Sequence, residues 1–202
     1  VRDNYALAEQ LNYDPHEVAR NKAKIAPQQR LTDWRKSEIN RVVQTVTHER
    51  NSFSGIGDKS PEAFIAALLQ NIWNARLLGD VNQGYSESAV IHSSANTNLV
   101  GHQQINMFYS QLLGTVTQLK YSSDYCCSIP NSFGGVDVAV RWTIAGNHGG
   151  SALYGDPTGI PLLILGESHY RITDGLISEE WTIFDELSVL VEIYRARIAT
   201  ID

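Results

Sequence analysis

Four ionisable side chains of the 202-residue chain stand in strand-like runs that could aim them at chemistry: His92 in VIHSS (90–94), His148 in RWTIAGNH (141–148), His169 in GESHYRI (166–172) and Asp185 in EEWTIFDE (179–186). Side chains alternate faces along a strand. In 179–186, Glu179, Trp181, Ile183 and Asp185 share one face, and the tryptophan and isoleucine predict that it is buried. Asp185 then closes an apolar strip. A carboxylate there is costly unless paired, hydrogen-bonded or protonated, and burial raises its pKa into the range of a general acid or base. In 141–148 the inward set is Trp142, Ile144, Gly146 and His148, which ends in a histidine at the sheet rim. The simpler roles stand beside these: Asp185 as cap of a following helix, His148 as a structural or solvated residue, His169 in a polar network with Glu167 and Arg171, and His92 in a similar one.

Other chemistries find less support. The glycine-rich stretch AGNHGGSALYGDPTG (145–159) lacks the Gly-Lys-Ser/Thr ending of a phosphate loop. There is no HExxH, no CxxC pair and no GxSxG elbow. A metal site from His92, His148 and His169 stays open as a minor reading; the expectation is no metal and no cofactor. Cys126 and Cys127 are adjacent, so on a strand they point to opposite faces and do not pair. Reduced thiols and an opening, VRDNYALAEQ, without signal-peptide character lead to an expected cytoplasmic location. A net charge of −6 argues against nucleic acid and anionic membrane as partners.

The elements that must hold these residues follow from pattern. Asp14-Pro15 starts a helix that Pro27 ends, and 31–47 is amphipathic with Ile39, Val42, Val43 and Val46 on one face. Residues 51–61 have linker composition. Ser60-Pro61 caps a helix with Phe64, Leu68 and Ile72 inward, running to about Leu78. A strand at 88–94 and a helix after Gly101 follow. Segments 116–127, 136–147, 160–173 and 176–185 read as strands, with a tight turn at TDGL (173–176), before a closing helix. This is an α+β plan: helices against one face of a strongly curved antiparallel sheet. Residues 1–57 form a helical extension and 58–202 the main domain. VRDNYALAEQL (1–11) also aligns with IFDELSVLVEI (183–193), Asp3 on Asp185, so residues 1–12 read as the tail of a preceding similar domain.

The strand Arg141-Trp142 pair, the His148-Gly149 loop ending in Gly-Asp-Pro-Thr-Gly, and the run Asp-Gly-x-Ile-x-Glu-x-Trp-x-x-x-Asp (174–185) together resemble the SnoaL-like polyketide cyclases of the nuclear-transport-factor-2-like superfamily, over roughly residues 58–197. The resemblance implies a ketosteroid-isomerase-like cone around an apolar pocket, and a homodimer formed through the sheet. It implies Asp185 as the acid–base residue of intramolecular aldol closure, with His148 and His169 assisting. A small apolar, carbonyl-bearing substrate would lie against Trp142, Ile144, Trp181, Ile183 and His92. The alternative is a binding or assembly domain that holds a small apolar molecule without turnover.

Overall fold

The computed structural model describes residues 14–47, 50, 51, 53, 55–93 and 97–200. The expected domain tail at 1–12 lies outside them. Helix α1 spans Pro15–Ala23, and the Asp14 carboxylate accepts from His16 N at 2.9 Å as its cap. Helix α2 spans Gln29–Thr45. Helix α3, Pro61–Leu69, is capped by Ser60 and widens into a π-turn over Gln70–Asn74. It stops there rather than at Leu78, because Arg76 turns left-handed at φ +59°. Helix α4 is Val81–Gly84, α5 is Gly101–Thr115 and α6 is Glu186–Ala199.

The strands are β1 Tyr85–Ser93, β2 Thr97–Val100, β3 Val116–Pro130, β4 Val136–His148, β5 Pro161–Thr173 and β6 Leu176–Phe184. They form one sheet in the order β2-β1-β6-β5-β4-β3. Strands β3 to β6 are the expected antiparallel meander, and β5 and β6 meet at a turn in which Asp174 and Gly175 both have positive φ. Two expectations are corrected. Strand β1 pairs with β6 in parallel, so the sheet is mixed; the long route through β2, α5 and β3–β5 lets β1 enter from either direction. The sheet is also not strongly curled.

The inner face packs against α3 and α5. Phe64, Ile65, Leu68, Ile72 and Trp73 meet Ile105, Tyr109 and Leu112, and both rows lie over Tyr121, Val138, Val140, Ile144, Ile164 and Tyr170. The space between the helices and the sheet is packed with rings: Trp73 meets Tyr109 edge-on at 4.9 Å and stacks over Tyr121 at 6.1 Å. The Trp142 indole lies over Gly166, its cross-strand partner, where a Cβ would fall 2.1 Å from Trp142 Cζ2. Glycine there makes room for the tryptophan.

The extension is helical and packed. Helix α1 lies along α6, with His16 Nδ1 3.1 Å from Tyr194 Oη. Helix α2 lies on the outer face of β3–β5, held by the Arg41–Asp124 ion pair at 2.9 Å. Lys120 Nζ donates to Val43 O and Val46 O, each at 2.9 Å, and so satisfies the carbonyls at the end of α2. Val42 is buried, Ile39 and Val46 are half-buried, and Val43 faces outward instead of joining them. Among the described residues, no helix is long and apolar enough to cross a membrane.

Candidate active site

The inner face of β6 carries a buried acid that alternation did not reveal. From Leu176 to Ile177 the strand pairs with β5 in one register; from Glu179 onward the register is shifted by one, leaving Ser178 as an extra residue. The bulge reverses which side chains face inward. Ile177 is inside, but beyond the bulge the inward set is Glu180, Thr182 and Phe184, not Glu179, Trp181, Ile183 and Asp185. Glu180 is 2% exposed, whereas Trp181 is 37% exposed.

Glu180 sits in a polar cluster within the core. Tyr85 Oη donates to its Oε2 at 2.6 Å, and the Tyr109 hydroxyl lies 2.8 Å from that of Tyr85. With Tyr85 committed to the carboxylate, Tyr109 is the donor in the second bond, and the two hydroxyls form a relay. Beside it the Ser168 hydroxyl receives the Trp142 Nε1 proton at 3.0 Å and meets Thr182 Oγ1 at 2.7 Å. Burial pushes the Glu180 carboxyl up to about 7, while bonds from Tyr85, Tyr170 and Ser168 pull it down. Burial and the nearby carboxylate hold Tyr85 and Tyr170 well above the ordinary tyrosine range. Burial and Glu180 do the same for Tyr109. The tyrosines therefore stay protonated donors while Glu180 alone changes charge near neutrality.

Asp185 is the N-cap of α6: Oδ1 accepts from Ser188 N at 3.1 Å and Oδ2 from Ser188 Oγ at 2.6 Å. It also borders two clefts on the outer side of the sheet. One, about 640 Å³, lies under α2 and includes Trp34, Arg141, Trp142 and Ile183. Three of the residues singled out from the sequence thus reach a common space, Trp142, Ile183 and Asp185, but it lies under the extension.

His148 is fully buried at the end of β4. Its Nδ1 accepts from Thr158 N at 3.3 Å and lies 3.0 Å from Thr158 Oγ1, which assigns the ring proton to Nε2, buried without a partner among the described residues. Its main chain bonds Ile160 O and receives Gly159 N, each at 2.9 Å. Burial and then the charge of Arg197 lower its pKa, so it is a neutral staple closing the 149–158 loop. Where that loop crosses the end of α5, a Cβ on Gly150 would lie 1.7 Å from Gly114 O. Through Tyr170, Glu180 aligns with Val138 on β4, ten residues from His148, or roughly 33 Å at ~3.3 Å per residue. Ile144 is in the core between them.

His169 and His92 lie on the outer face, in one row with Trp181. His92 stacks on Trp181 at 5.3 Å, bonds Asn98 through Nδ1 at 2.9 Å, and lies 3.4 Å from Glu179 through Nε2. Arg171 also lies over Trp181, 4.9 Å from its centroid, and pairs with Glu179 at 2.6 Å and Asp137 at 3.1 Å. His148 is thus separate from His92 and His169. Among the described residues no three His, Cys, Asp or Glu side chains are grouped as metal ligands. A separate space, about 320 Å³, opens between β2, α5 and the 149–158 loop, lined by Leu99, Phe108, Leu112, Tyr154 and Phe184.

The family model for SnoaL-like polyketide cyclases matches residues 63–193. The chain belongs to that family. Its fold is the nuclear-transport-factor-2-like one. Several solved structures superimpose on it. One from Jannaschia sp. CCS1, assigned as a SnoaL-like polyketide cyclase, matches at 17% identity with a TM-score of 0.56, covering 68% of this chain and 96% of its own. IdmH from Streptomyces antibioticus, assigned as a polyketide cyclase, matches at 20% identity and a TM-score of 0.56, with 66% and 99% covered. TsrD from Streptomyces laurentii matches at 18% identity and a TM-score of 0.53, with 65% and 95% covered. Comparison with curated proteins returns no match. The SnoaL-like match begins after α1 and α2, so the extension that covers the outer face is additional to the matched region.

Proposed function

We propose that this SnoaL-like domain catalyses cofactor-independent proton transfer at carbon next to a carbonyl, the step common to cyclases and isomerases, on a small and largely apolar substrate. The observation that carries this reading is Glu180: a buried carboxyl with a pKa of about 7, held by a relay of two tyrosine hydroxyls. Such a group both takes and returns a proton at neutral pH, and the neighbouring tyrosine donors suit an enolate oxygen. The substrate enters by the 320 Å³ opening at Phe184 and Leu112. Displacement of the Phe184 ring leads along β6 to Thr182 and Glu180.

The substrate C–H proton passes to the Glu180 carboxylate while its electron pair moves into the enolate. Return of the proton to another atom completes isomerisation; attack of the enolate carbon on a second carbonyl forms the new C–C bond, and the resulting alkoxide takes the proton back from Glu180 to complete ring closure. The test uses α-tetralone in D₂O and follows exchange of its α-hydrogens by NMR. The wild-type chain should accelerate exchange with a profile rising through pH 7, and Glu180→Gln should lose it by ~10²–10⁴-fold. Exchange no faster than buffer, or equal in Glu180→Gln, refutes the catalytic reading. A second reading, ligand holding without turnover, draws support from the close ring packing around Glu180; saturable tetralone binding without exchange is its signature.

A further inference from the structure

The extension builds a cleft of its own. Helices α1 and α2 and the first turns of α6 enclose about 710 Å³, within the range of small-molecule pockets. Its apolar lining includes Ile25, Leu31, Trp34, Leu187 and Val191. Three of these are unusually open for their size: Ile25 is 67%, Leu31 54% and Trp34 44% exposed. Around them stand Lys22, Arg35 and Lys36. Among the described residues, none of the three cations makes a hydrogen bond or ion pair. The two acids of the cleft are engaged elsewhere, Asp185 in its cap and Glu192 with Arg195 at 2.6 Å. Arg195, also in the wall, gives Nη1 to Glu192 and Nη2 to Ile25 O, while its Nε is a buried donor without an acceptor among the described residues.

The trough brings exposed apolar surface and three uncommitted cations together in a chain of net charge −6. Exposed apolar surface gains from being covered, and the cations gain from one anion placed at its edge. We infer that this cleft binds a small apolar carboxylate, its hydrocarbon part against Trp34, Leu31 and Val191 and its carboxylate among Lys22, Arg35 and Lys36. A guanidinium and two ammonium groups suit a single delocalised anion, with Arg35 able to engage both oxygens. The site lies on the far side of the sheet from Glu180 and does not depend on the acid–base reading.

Decanoate below its micellar concentration is the probe, with decan-1-ol as its uncharged counterpart, both titrated into the full chain by calorimetry. Decanoate should bind one to one, at least tenfold tighter than decan-1-ol. Its affinity should fall about tenfold in the Arg35→Gln/Lys36→Gln double variant and with added salt, while decan-1-ol changes little. Glu180→Gln should bind decanoate as the wild type does. The inference is overturned by equal affinity for acid and alcohol, by an unchanged double variant, or by loss of binding in Glu180→Gln, which would put the ligand in the interior. Attachment to phosphatidylglycerol vesicles with no binding of free decanoate would overturn it too, by making the cleft part of a membrane surface.

Discussion

Replacing Glu180 by Gln isolates the one group of the interior cluster that titrates near neutrality. The folded carboxyl has a pKa of about 7, against 4.5 in the unfolded chain. Between those values the folded protein keeps a proton that the unfolded chain releases. Stability from this group is therefore complete below pH 4.5, declines as pH rises toward 7, and is level above. The gap of roughly 2.5 pH units, at about 1.4 kcal/mol each, amounts to about 3 kcal/mol. Gln has nearly the same shape, can still accept from Tyr85, and carries no proton to lose. The variant should match the wild type to within about 1 kcal/mol near pH 4, where both side chains are neutral. It should be about 3 kcal/mol more stable relative to the wild type at pH 8. Urea unfolding at pH 4, 5.5, 7 and 8 measures the difference at each pH, which cancels every titration the two proteins share. A difference that stays constant across this range refutes the assignment of a near-neutral pKa to Glu180, and with it the basis for acid–base catalysis. A difference that instead falls as pH rises through the range below 4.5 would mean that the tyrosine bonds outweigh desolvation.

Asp185 should behave as a cap: Asp185→Ala should lower stability by about 0.5–2 kcal/mol and Asp185→Asn by much less, both read by thermal unfolding. Should tetralone exchange fall in Asp185→Asn and persist in Glu180→Gln while stability holds, Asp185 rather than Glu180 is the acid–base residue. The outer face beyond α2 leaves Tyr125, Ile129, Phe133 and Trp181 exposed, and these are expected to be covered by a second copy of the chain. Sedimentation should show a dimer at micromolar concentration that Ile129→Lys with Phe133→Lys converts to monomer. A wild-type monomer would instead leave α2 as the principal cover of that face.

Much of the fold is legible locally. Asp14-Pro15 and Ser60-Pro61 start helices because a side-chain oxygen and a prolyl ring serve the first turn without any tertiary partner. Asp174-Gly175 turns the chain because both residues tolerate positive φ, and the β-branched, aromatic runs on either side become β5 and β6. The family signature in 141–185 is likewise a property of the sequence. The inward set of β4, Trp142, Ile144 and His148, followed from alternation because β4 keeps one register with β5 over its whole length.

On β6 the same reasoning failed at one residue. Counting by twos from Ile177 places Glu179, Trp181 and Ile183 inside, and the pairing with β5 is what inserts Ser178 as a bulge and turns Glu180 inward instead. Nothing local distinguishes Glu179 from Glu180; a sequence signal exists only in the doubled acid, which guarantees one inward carboxyl under either phase. The parallel entry of β1, which brings Tyr85 to Glu180, is likewise a non-local choice, as is the meeting of Tyr109 with Tyr85 across 24 residues. The amphipathic pattern of α2 announced a packed helix, but its seat on the outer face depends on Arg41 meeting Asp124 and Lys120 meeting the helix end, contacts 83 and 74–77 residues apart. The sequence by itself determined the elements and the family, because caps, turns and alternation act over a few residues. Which acid is buried, and which face the extension covers, depended on register between strands distant in the chain, and only the tertiary structure decided that.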